Sequence, residues 1–466
     1  MNTLFARERR GFVLSMGVLL FLPKVPLRFT LGQPSMSTLS LGFLALLYWA
    51  ISCRRSPVWR EVTPRTHSYV KLIQTVAVYQ FAITVVSMHP VEILYALQWL
   101  LYVMLAAWLL SGYYQLATQL GRQHAIWHDL EVMALLYAGG LLVSLWTGPF
   151  YLWQVGWYER TVGNVTIASA VGFGDGSQGA GATMMMLAPF ALFSTSRGFR
   201  KATESSLVLV GLFVTFSRGP LVGFIGGSLV VSTIGGLLFL AGWARIRRGH
   251  LMVVLTVLIV VVVFFAIALG SAVAEHGGTG GYANAVISMV APTSGSVFMQ
   301  DLGSRAAIWR YGLSKFAGTS SLELIFGHGF RSASEVNINT SYTVGATAWL
   351  SMHNSYIEWV FDFGIVGGLL MLLWCLLTTW RCLTGIGSRG QGWHRANVVA
   401  SVGLVSFAIL NMSETYFYGT ELMVLMLVVA ELPSLSQPCN SRRRETAAAQ
   451  SIRVGESQLI SLREDG

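Results

Sequence analysis

The chain has 466 residues, of which 54% are hydrophobic and only 11% are charged. Soluble domains carry roughly 25% charged residues, so a water-soluble fold could not cover its surface with so few charges. The same composition excludes a disordered chain. The net charge of +10 does not indicate nucleic-acid binding, because the basic residues are concentrated in the loops on one side of the predicted membrane helices. We therefore expect an all-α polytopic integral membrane protein with no nucleic acid among its partners.

Stretches of about 20 mostly apolar residues, the length that crosses a bilayer, recur along the chain. The first follows Arg7, Arg9 and Arg10. No small-residue cleavage site follows it, so we interpret it as a retained helix rather than a signal peptide. We predict about twelve transmembrane helices, at 11–23, 36–53, 69–88, 91–112, 129–147, 180–195, 204–217, 219–243, 250–272, 351–380, 396–414 and 416–433.

The distribution of basic residues orients these helices. With a cytoplasmic N-terminus, 23 of the 31 lysines and arginines fall on the cytoplasmic side and 8 on the other, as the positive-inside rule requires. Both termini are therefore predicted to be cytoplasmic. One long periplasmic loop, 273–350, is expected to contain short amphipathic helices, and the basic tail 434–466 is expected to be disordered.

Arg218 stands alone at the outer end of two predicted helices. Gly219 and Pro220 follow it, and Gly223 and Gly227 form a ladder of small residues that permits close helix packing. An arginine in this position, with no acidic residue near it in the sequence, indicates an anion-binding site. The alternative is an arginine that reaches lipid headgroups.

The segment 301–316 is predicted to be an amphipathic helix lying on the membrane. Trp309 lies on its apolar stripe, and Arg305 and Arg310 flank that stripe. Two arginines in this arrangement can bind a lipid headgroup or a diphosphate. The alternative is a surface helix that only anchors the loop to anionic lipid.

Polar residues gather where the tenth predicted helix begins. Asn354 and Glu358 share one helix face just after His353, and Asp362 follows Glu358 by one turn. Carboxylates inside a membrane helix usually face a cavity or a partner. A lone histidine near a helix start is more often structural, but here it lies beside carboxylates and several external arginines, which favours a reactive site.

Further residues in this region have less certain roles. Gly364 and Gly368 are expected to let a neighbouring helix approach closely. His328 lies in the middle of a Gly-x-Gly turn, and Glu414 and Glu421 lie in the last predicted helical hairpin. The sequence leaves the roles of these three side chains open.

Several short motifs, taken in order, resemble the bacterial O-antigen ligase and polymerase family. The resemblance covers about residues 205–380, and the N-terminal half matches only in hydropathy. It divides the chain into N-terminal transmembrane helices (1–200), a catalytic membrane region that includes the periplasmic loop (201–433) and the tail (434–466). The matching motifs are Thr215-Phe216-Ser217-Arg218-Gly219, Ser304-Arg305 with Trp309, Gly327-x-Gly329, and His353-Asn354 followed by Gly364 and Gly367.

The resemblance implies a metal-independent, cofactor-free glycosyltransferase of the bacterial inner membrane with a periplasmic active face. Its implied donor is a glycan on undecaprenyl diphosphate. The acceptor is the lipid A-core for a ligase or a growing polysaccharide for a polymerase. Membrane lipids and other polysaccharide-assembly proteins are further expected partners. The predicted catalytic residues are Arg218, Arg305 and His353, and the predicted substrate-binding residues are Trp309, Arg310, Asn354 and Glu358.

Two other classes of protein are compatible with parts of this pattern. A transporter or flippase of lipid-linked glycans would place charges near mid-membrane in several helices, whereas the interiors of the first nine predicted helices almost lack charge. A non-enzymatic assembly scaffold would tolerate the loss of Arg218, Arg305 and His353 individually.

Overall fold

Helices dominate the structure, a computed structural model. It describes residues 2–22, 41–54, 68–87, 90–150, 159–162, 165–174, 176–240, 309, 316, 318–330, 354–386, 395–412 and 420–436. The helices are α1 (Asn2–Phe21), α2 (Leu41–Arg54), α3 (Ser68–Ser87), α4 (Pro90–Gln119), α5 (Gln123–Thr147), α6 (Ser177–Leu192), α7 (Gly198–Phe213), α8 (Arg218–Leu240), α9 (Ser321–Phe326), α10 (Ser355–Ile386), α11 (Arg395–Leu410) and α12 (Thr420–Glu431), which continues into a 3-10 helix, Leu432–Ser436.

Within the described ranges, five helical stretches are long and apolar enough to cross a membrane. They overlap predicted spans, but α4 and α5 extend beyond the predicted bounds because helical hydrogen bonding continues through the polar residues that flank the apolar stretch. The predicted span 250–272 lies outside the described residues. The five stretches are Tyr69–Ser87, Ile93–Gln119, Gln123–Thr147, Gly219–Leu237 and Ser355–Ile386, and shorter apolar helices cover Leu41–Arg54, Arg395–Leu410 and Leu422–Leu435.

The helices confirm the predicted all-α class, and one small β-hairpin accompanies them in the described part of the chain. Strands β1 (Glu159–Val162) and β2 (Val165–Ala168) pair antiparallel, with Val162 opposite Val165. The sequence contains the signal for it, because a Gly-Asn dipeptide separates two short runs of β-branched residues. The stretch lies between the predicted spans 129–147 and 180–195, in a segment to which we assigned no secondary structure.

Helix α6 lies at the centre of the bundle. It contacts α5, α7, α8, α11 and α12, and its side chains from Met184 to Leu192 are all buried. A helix that is apolar on every side has no face to offer to solvent and is expected in such a position. The neighbouring helices are therefore arranged around α6.

The predicted glycine ladder of α8 packs against α11, which confirms that prediction. A Cβ atom on Gly223 would lie 2.9 Å from the carbonyl oxygen of Ser406, and one on Gly227 would lie 2.7 Å from the amide nitrogen of Ser406. Real side chains do not fit at such distances. Glycine therefore permits the close approach of these two backbones.

One end of the bundle, which we name the arginine end, is held by ion pairs between side chains. Each pair joins an arginine to a carboxylate near the ends of α1, α5, α7 and α11. Where both partners are described, these pairs are Arg9–Asp129, Arg200–Glu204 and Arg395–Glu131.

A lysine contributes to the same arginine end. The Nζ atom of Lys201 donates hydrogen bonds to the carbonyl oxygens of Ala191 and Ser194, at 3.0 and 3.2 Å. A cation near the last carbonyls of a helix is favourable, because these carbonyls have no intrahelical donor. Burial lowers the pKa of Lys201 to about 8.

Candidate functional site

Helix α11 supports the start of α10 at the opposite end of the bundle. The N–H of Ser355 donates to the carbonyl oxygen of Asn411, at 2.9 Å, and the Ser355 hydroxyl donates to the Asn411 side chain. The Asn354 side chain donates to the carbonyl oxygen of Met412, at 3.0 Å. Residue 353, the predicted catalytic histidine, therefore immediately precedes a segment that is fixed to the end of α11.

The start of α8 lies at this same end. Moving from Gly227 to Gly223 along α8, the contact on α11 shifts from Ser406 to include Leu410, so the two helices run antiparallel. Arg218 lies about 7 Å beyond Gly223 at 1.5 Å per residue, which places its backbone near the level of Asn411. The structure thus places the helix start that carries Arg218 near the helix start that follows residue 353.

The turn before Arg218 has a strained backbone. Phe216 has a φ of 48°, and all other described residues with a positive φ are glycines. The Thr215 hydroxyl donates to the carbonyl oxygen of Leu212, at 2.8 Å, and the N–H of Ala170 donates to the carbonyl oxygen of Val214, at 2.9 Å. Such strain persists only where the surroundings fix it, and it is frequent at functional sites.

Arg218 is the first residue of α8. The N–H groups in the first turn of a helix have no intrahelical acceptor, and the helix dipole makes this end positive. A helix start next to an arginine can therefore bind an anion such as a phosphate.

Asn354 has a structural role that its sequence position did not reveal. Its side-chain oxygen accepts hydrogen bonds from the N–H groups of Tyr356 and Ile357, at 3.0 and 3.1 Å, which makes it the N-cap of α10. Because its amide group also donates to Met412, both ends of the amide are engaged. Substrate binding by Asn354 stays a prediction.

Helix α10 is kinked in its third turn. Gly364 has φ 65° and ψ −172°, which is not helical. Glu358 and Asp362 lie before the kink and are 5% and 0% exposed, whereas Ile365 lies after it and is 44% exposed. The face that Glu358 and Ile365 would share on a straight helix is therefore interrupted.

The kink accommodates the loop that follows α9. A Cβ atom on Gly364 would lie 2.3 Å from the carbonyl oxygen of Ile325, and one on Gly327 would lie 2.4 Å from the amide nitrogen of Gly364. The prediction that Gly364 admits a neighbouring helix is confirmed, with the short α9 as that neighbour. At Gly368 the three atoms nearest to a Cβ position belong to Val360 of its own helix, so the same prediction for Gly368 stays a prediction.

Residues 327–330 contact both α10 and α3, and we name them the docking loop. We name the end of the bundle where they lie the loop end. The N–H of Gly329 donates to the carbonyl oxygen of Asp362, at 2.8 Å, and the N–H of Phe330 donates to the Thr84 hydroxyl, at 3.0 Å. His328 contacts the carbonyl oxygen of Phe361 through Nδ1, at 3.0 Å. Sequence reasoning missed Thr84, since one threonine in an apolar helix gives no distinctive signal.

Helix α9, which leads into the docking loop, starts with a capping box. The Ser320 hydroxyl accepts from the N–H of Glu323, and the Glu323 carboxylate accepts from the N–H of Ser320, at 3.0 Å. The second bond, from the backbone of Ser320, holds the pKa of Glu323 below its ordinary value. The cap therefore weakens as the pH falls through the pKa of this carboxylate.

Most of the other predicted site residues lie outside the described part of the chain. This applies to Arg305, Arg310 and His353, and to the side chain of Arg218. Trp309 is helical and half-buried. Phe316, near the end of the predicted amphipathic helix, packs beside Phe361 with ring centroids 6.3 Å apart, so the end of that segment lies next to α10.

Two remaining predictions also concern residues that the structure describes only partly. Glu414 lies outside the described residues, and only the helical backbone of Glu421 is described. Across the described ranges, no group of three His, Cys, Asp or Glu side chains could hold a metal ion. The prediction of a metal-independent site is not tested by this observation.

Comparison with known proteins agrees with the resemblance found in the sequence. The family model described as O-antigen ligase matches residues 205–372, about a third of the chain, and this range includes α8, α9 and the start of α10. No curated protein matches the chain at a significant level. Residues 205–372 are thus similar to the O-antigen ligase family, and the apolar helices indicate a membrane protein.

Proposed function

We propose that this membrane protein, whose residues 205–372 match the O-antigen ligase family model, transfers a glycan from undecaprenyl diphosphate to an acceptor hydroxyl at the loop end of the bundle. The observation that carries the proposal is the role of α11, which supports the start of α10 through Asn411 and packs closely against α8. Arg218 begins α8, and His353 immediately precedes the start of α10. The two proposed catalytic groups therefore belong to adjacent helix ends.

The proposed reaction is a displacement at the anomeric carbon of the donor sugar. The acceptor hydroxyl oxygen forms a bond to that carbon, and the bond from the carbon to the diphosphate oxygen breaks. The diphosphate leaves with the electron pair and gains negative charge. Arg218 and Arg305 stabilise this charge through bidentate hydrogen bonds, and His353 accepts the proton of the hydroxyl.

The remaining predicted residues have binding roles in this proposal. Arg310 and Trp309 hold the diphosphate and lipid portions of the donor at the membrane surface, and Asn354 fixes the helix that follows His353. Glu358 is buried at the start of α10 and assists the acceptor or His353. No metal ion is required, because the arginines supply the positive charge that a cation would otherwise provide.

The proposed orientation places the loop end in the periplasm and the arginine end in the cytoplasm. It is supported by the positions of Arg9, Lys201 and Arg395, which the charge distribution assigns to the cytoplasmic side and which all lie at the arginine end. We also propose that the chain crosses the inner membrane about twelve times, that both termini lie in the cytoplasm and that residues 201–433 form the catalytic region. The acceptor is the lipid A-core or a growing polysaccharide, with other assembly proteins as partners.

Purified protein in nanodiscs tests the reaction. It would be incubated with an undecaprenyl-diphosphate-linked repeat unit, with and without lipid A-core. A ladder of longer glycans from the donor alone identifies a polymerase, and transfer that depends on the core identifies a ligase. If the native donor gives no transfer in either condition, the proposal is wrong and transport of the donor should be measured.

Alanine variants test the assigned residues. Arg218→Ala, Arg305→Ala and His353→Ala should each lower the transfer rate by about 100-fold, the usual effect of removing one group that stabilises charge in a transition state. Arg197→Ala is the matched control, since Arg197 is exposed at the arginine end, and it should retain full activity. Full activity of all three site variants would support a scaffold instead.

The pH and metal dependence of the rate test the proton acceptor and the proposed independence from metal. With His353 as the base, the rate should fall as the pH drops through about 6.5, the ordinary pKa of histidine. A flat profile from about pH 5 to 8 would remove His353 from that role. Addition of a chelator should leave the rate unchanged.

A further inference from the structure

The kink in α10 lies beside three consecutive carbonyl groups. In a regular α-helix, each carbonyl accepts from the N–H four residues later, so the bonds that span residue 364 start at Phe361, Asp362 and Phe363. The conformation of Gly364 is not helical, so these bonds cannot all have regular geometry. Inside a membrane, a backbone carbonyl without a donor costs several kcal/mol, and additional donors at the kink are therefore favourable.

Each of the three carbonyls receives a donor from outside α10. The Nδ1 atom of His328 contacts the carbonyl oxygen of Phe361, at 3.0 Å. The N–H of Gly329 donates to Asp362, at 2.8 Å, and the Tyr79 hydroxyl donates to Phe363, at 3.1 Å. Residues far apart in the sequence thus supply contacts to all three carbonyls beside the kink.

The partner of His328 determines its tautomer. A carbonyl oxygen can only accept a hydrogen bond, so Nδ1 must carry the proton and donate it. The imidazole ring also lies flat against the Phe361 ring, with centroids 4.6 Å apart and an interplanar angle of 11°. His328 is therefore held to Phe361 by both its nitrogen and its ring face.

We propose that His328 is a positioning residue, which fixes the kink of α10 by donating from Nδ1 to the carbonyl oxygen of Phe361. In this way it sets the direction of residues 354–363, the segment that contains Asn354 and Glu358 and directly follows His353. The inference rests on the proposed function for its effect on catalysis. The effect on the shape of α10 does not depend on that function.

Three substitutions separate a positioning role from a chemical one. His328→Asn retains a side-chain N–H close to the Nδ1 position but has no equivalent of Nε2. His328→Ala removes both nitrogens, and His328→Gln places its N–H further out. His124→Ala is the matched control, because His124 is exposed on α5 at the arginine end.

The expected result is a rate effect that asparagine rescues. His328→Ala should lower kcat by about 10- to 100-fold, because a displacement of about 1 Å can reduce catalysis by that amount, with little change in KM. His328→Asn should recover to within about threefold of the wild type, and His328→Gln should recover less. If His328→Ala is fully active, or His328→Asn is as impaired as His328→Ala, the positioning role is wrong.

A distance measurement tests the kink without any glycan transfer. Spin labels at residues 357 and 380 of α10, in a variant whose native cysteines are replaced, report its bend by pulsed electron resonance. A straight helix would separate these positions by about 34 Å at 1.5 Å per residue, and a kink shortens this distance. His328→Ala should broaden or lengthen the distribution, and His328→Asn should restore it.

The two readouts distinguish the possible failures. If the wild-type protein transfers no glycan but the distance responds to His328→Ala, the proposed function fails and the structural inference holds. If transfer occurs and neither the distance nor the rate responds, the inference about His328 fails while the proposed function stands.

Discussion

The two ends of the bundle are held together by different chemical groups. At the arginine end, charged side chains join the helices, as in the bidentate contact of Arg9 with Asp129 at 2.6 and 2.8 Å. At the loop end, backbone groups dominate the described contacts, as in the N–H of Gly329 that donates to Asp362. A contact between side chains tolerates small movements, whereas a contact to a backbone group requires a fixed geometry, and glycine where two backbones approach as closely as at Gly364.

This difference explains why the loop end suits a reactive site. Its helix starts are fixed by glycine, asparagine and backbone carbonyls, so its architecture in the described region does not use an arginine as a structural tie. Arginines predicted near this end are then available to bind an anionic group of the substrate. At the arginine end, by contrast, Arg395 pairs with Glu131 and lies over the Trp127 ring, with its guanidinium carbon 4.2 Å from the ring centroid, and so has a structural role.

The largest effect is expected at the glycine in the kink. Gly364→Ala would place a Cβ atom 2.3 Å from a backbone oxygen at a φ of 65°, and it should destabilise the protein by about 3 kcal/mol and abolish transfer. Thermal unfolding in nanodiscs and the transfer rate measure the two effects. Gly139→Ala is the control, since nothing lies within 4 Å of its Cβ position. A fully active Gly364→Ala protein would contradict the backbone contact at the loop end.

An effect on stability alone, with no loss of transfer, is expected at the arginine end. Arg395→Ala leaves the Glu131 carboxylate, which is 15% exposed, without this partner, and should lower the free energy of unfolding by about 3 kcal/mol. The transfer rate per folded molecule should stay unchanged. Denaturation curves and active-fraction measurements check both statements. A loss of rate in folded protein would mean that the two ends are not functionally separate.

The smallest effect is expected at the cap of α10. Asn354→Ala should destabilise the protein by about 1 kcal/mol, the usual value of an N-cap, and reduce transfer severalfold. Asn354→Asp keeps an oxygen that accepts from the N–H groups of Tyr356 and Ile357, and should recover most of the rate. If aspartate fails to rescue a folded protein, the cap alone does not explain the role of Asn354, and its amide donor, which bonds the carbonyl oxygen of Met412, is the essential group.

Local patterns were sufficient for some features of the fold and the site. Apolar length predicted the membrane helices, because crossing a bilayer is a property of one segment. The glycine spacing of α8 predicted a close helix contact, which Gly223 and Gly227 make with Ser406. The motifs around Arg218 and Gly327 indicated the family that residues 205–372 match.

Only the tertiary structure determined how the loop end is built. The kink at Gly364 requires Tyr79, which contacts Phe363 across 284 positions of sequence, and the docking loop requires Thr84, which lies 246 positions from Phe330. No periodicity encodes such pairs, because periodicity reports the neighbours of one helix, whereas these bonds join segments that meet only after folding. For the same reason, the sequence could list Asn354 and His328 as polar residues near a site, but only the fold assigns the first to a helix cap and the second to the carbonyl of Phe361.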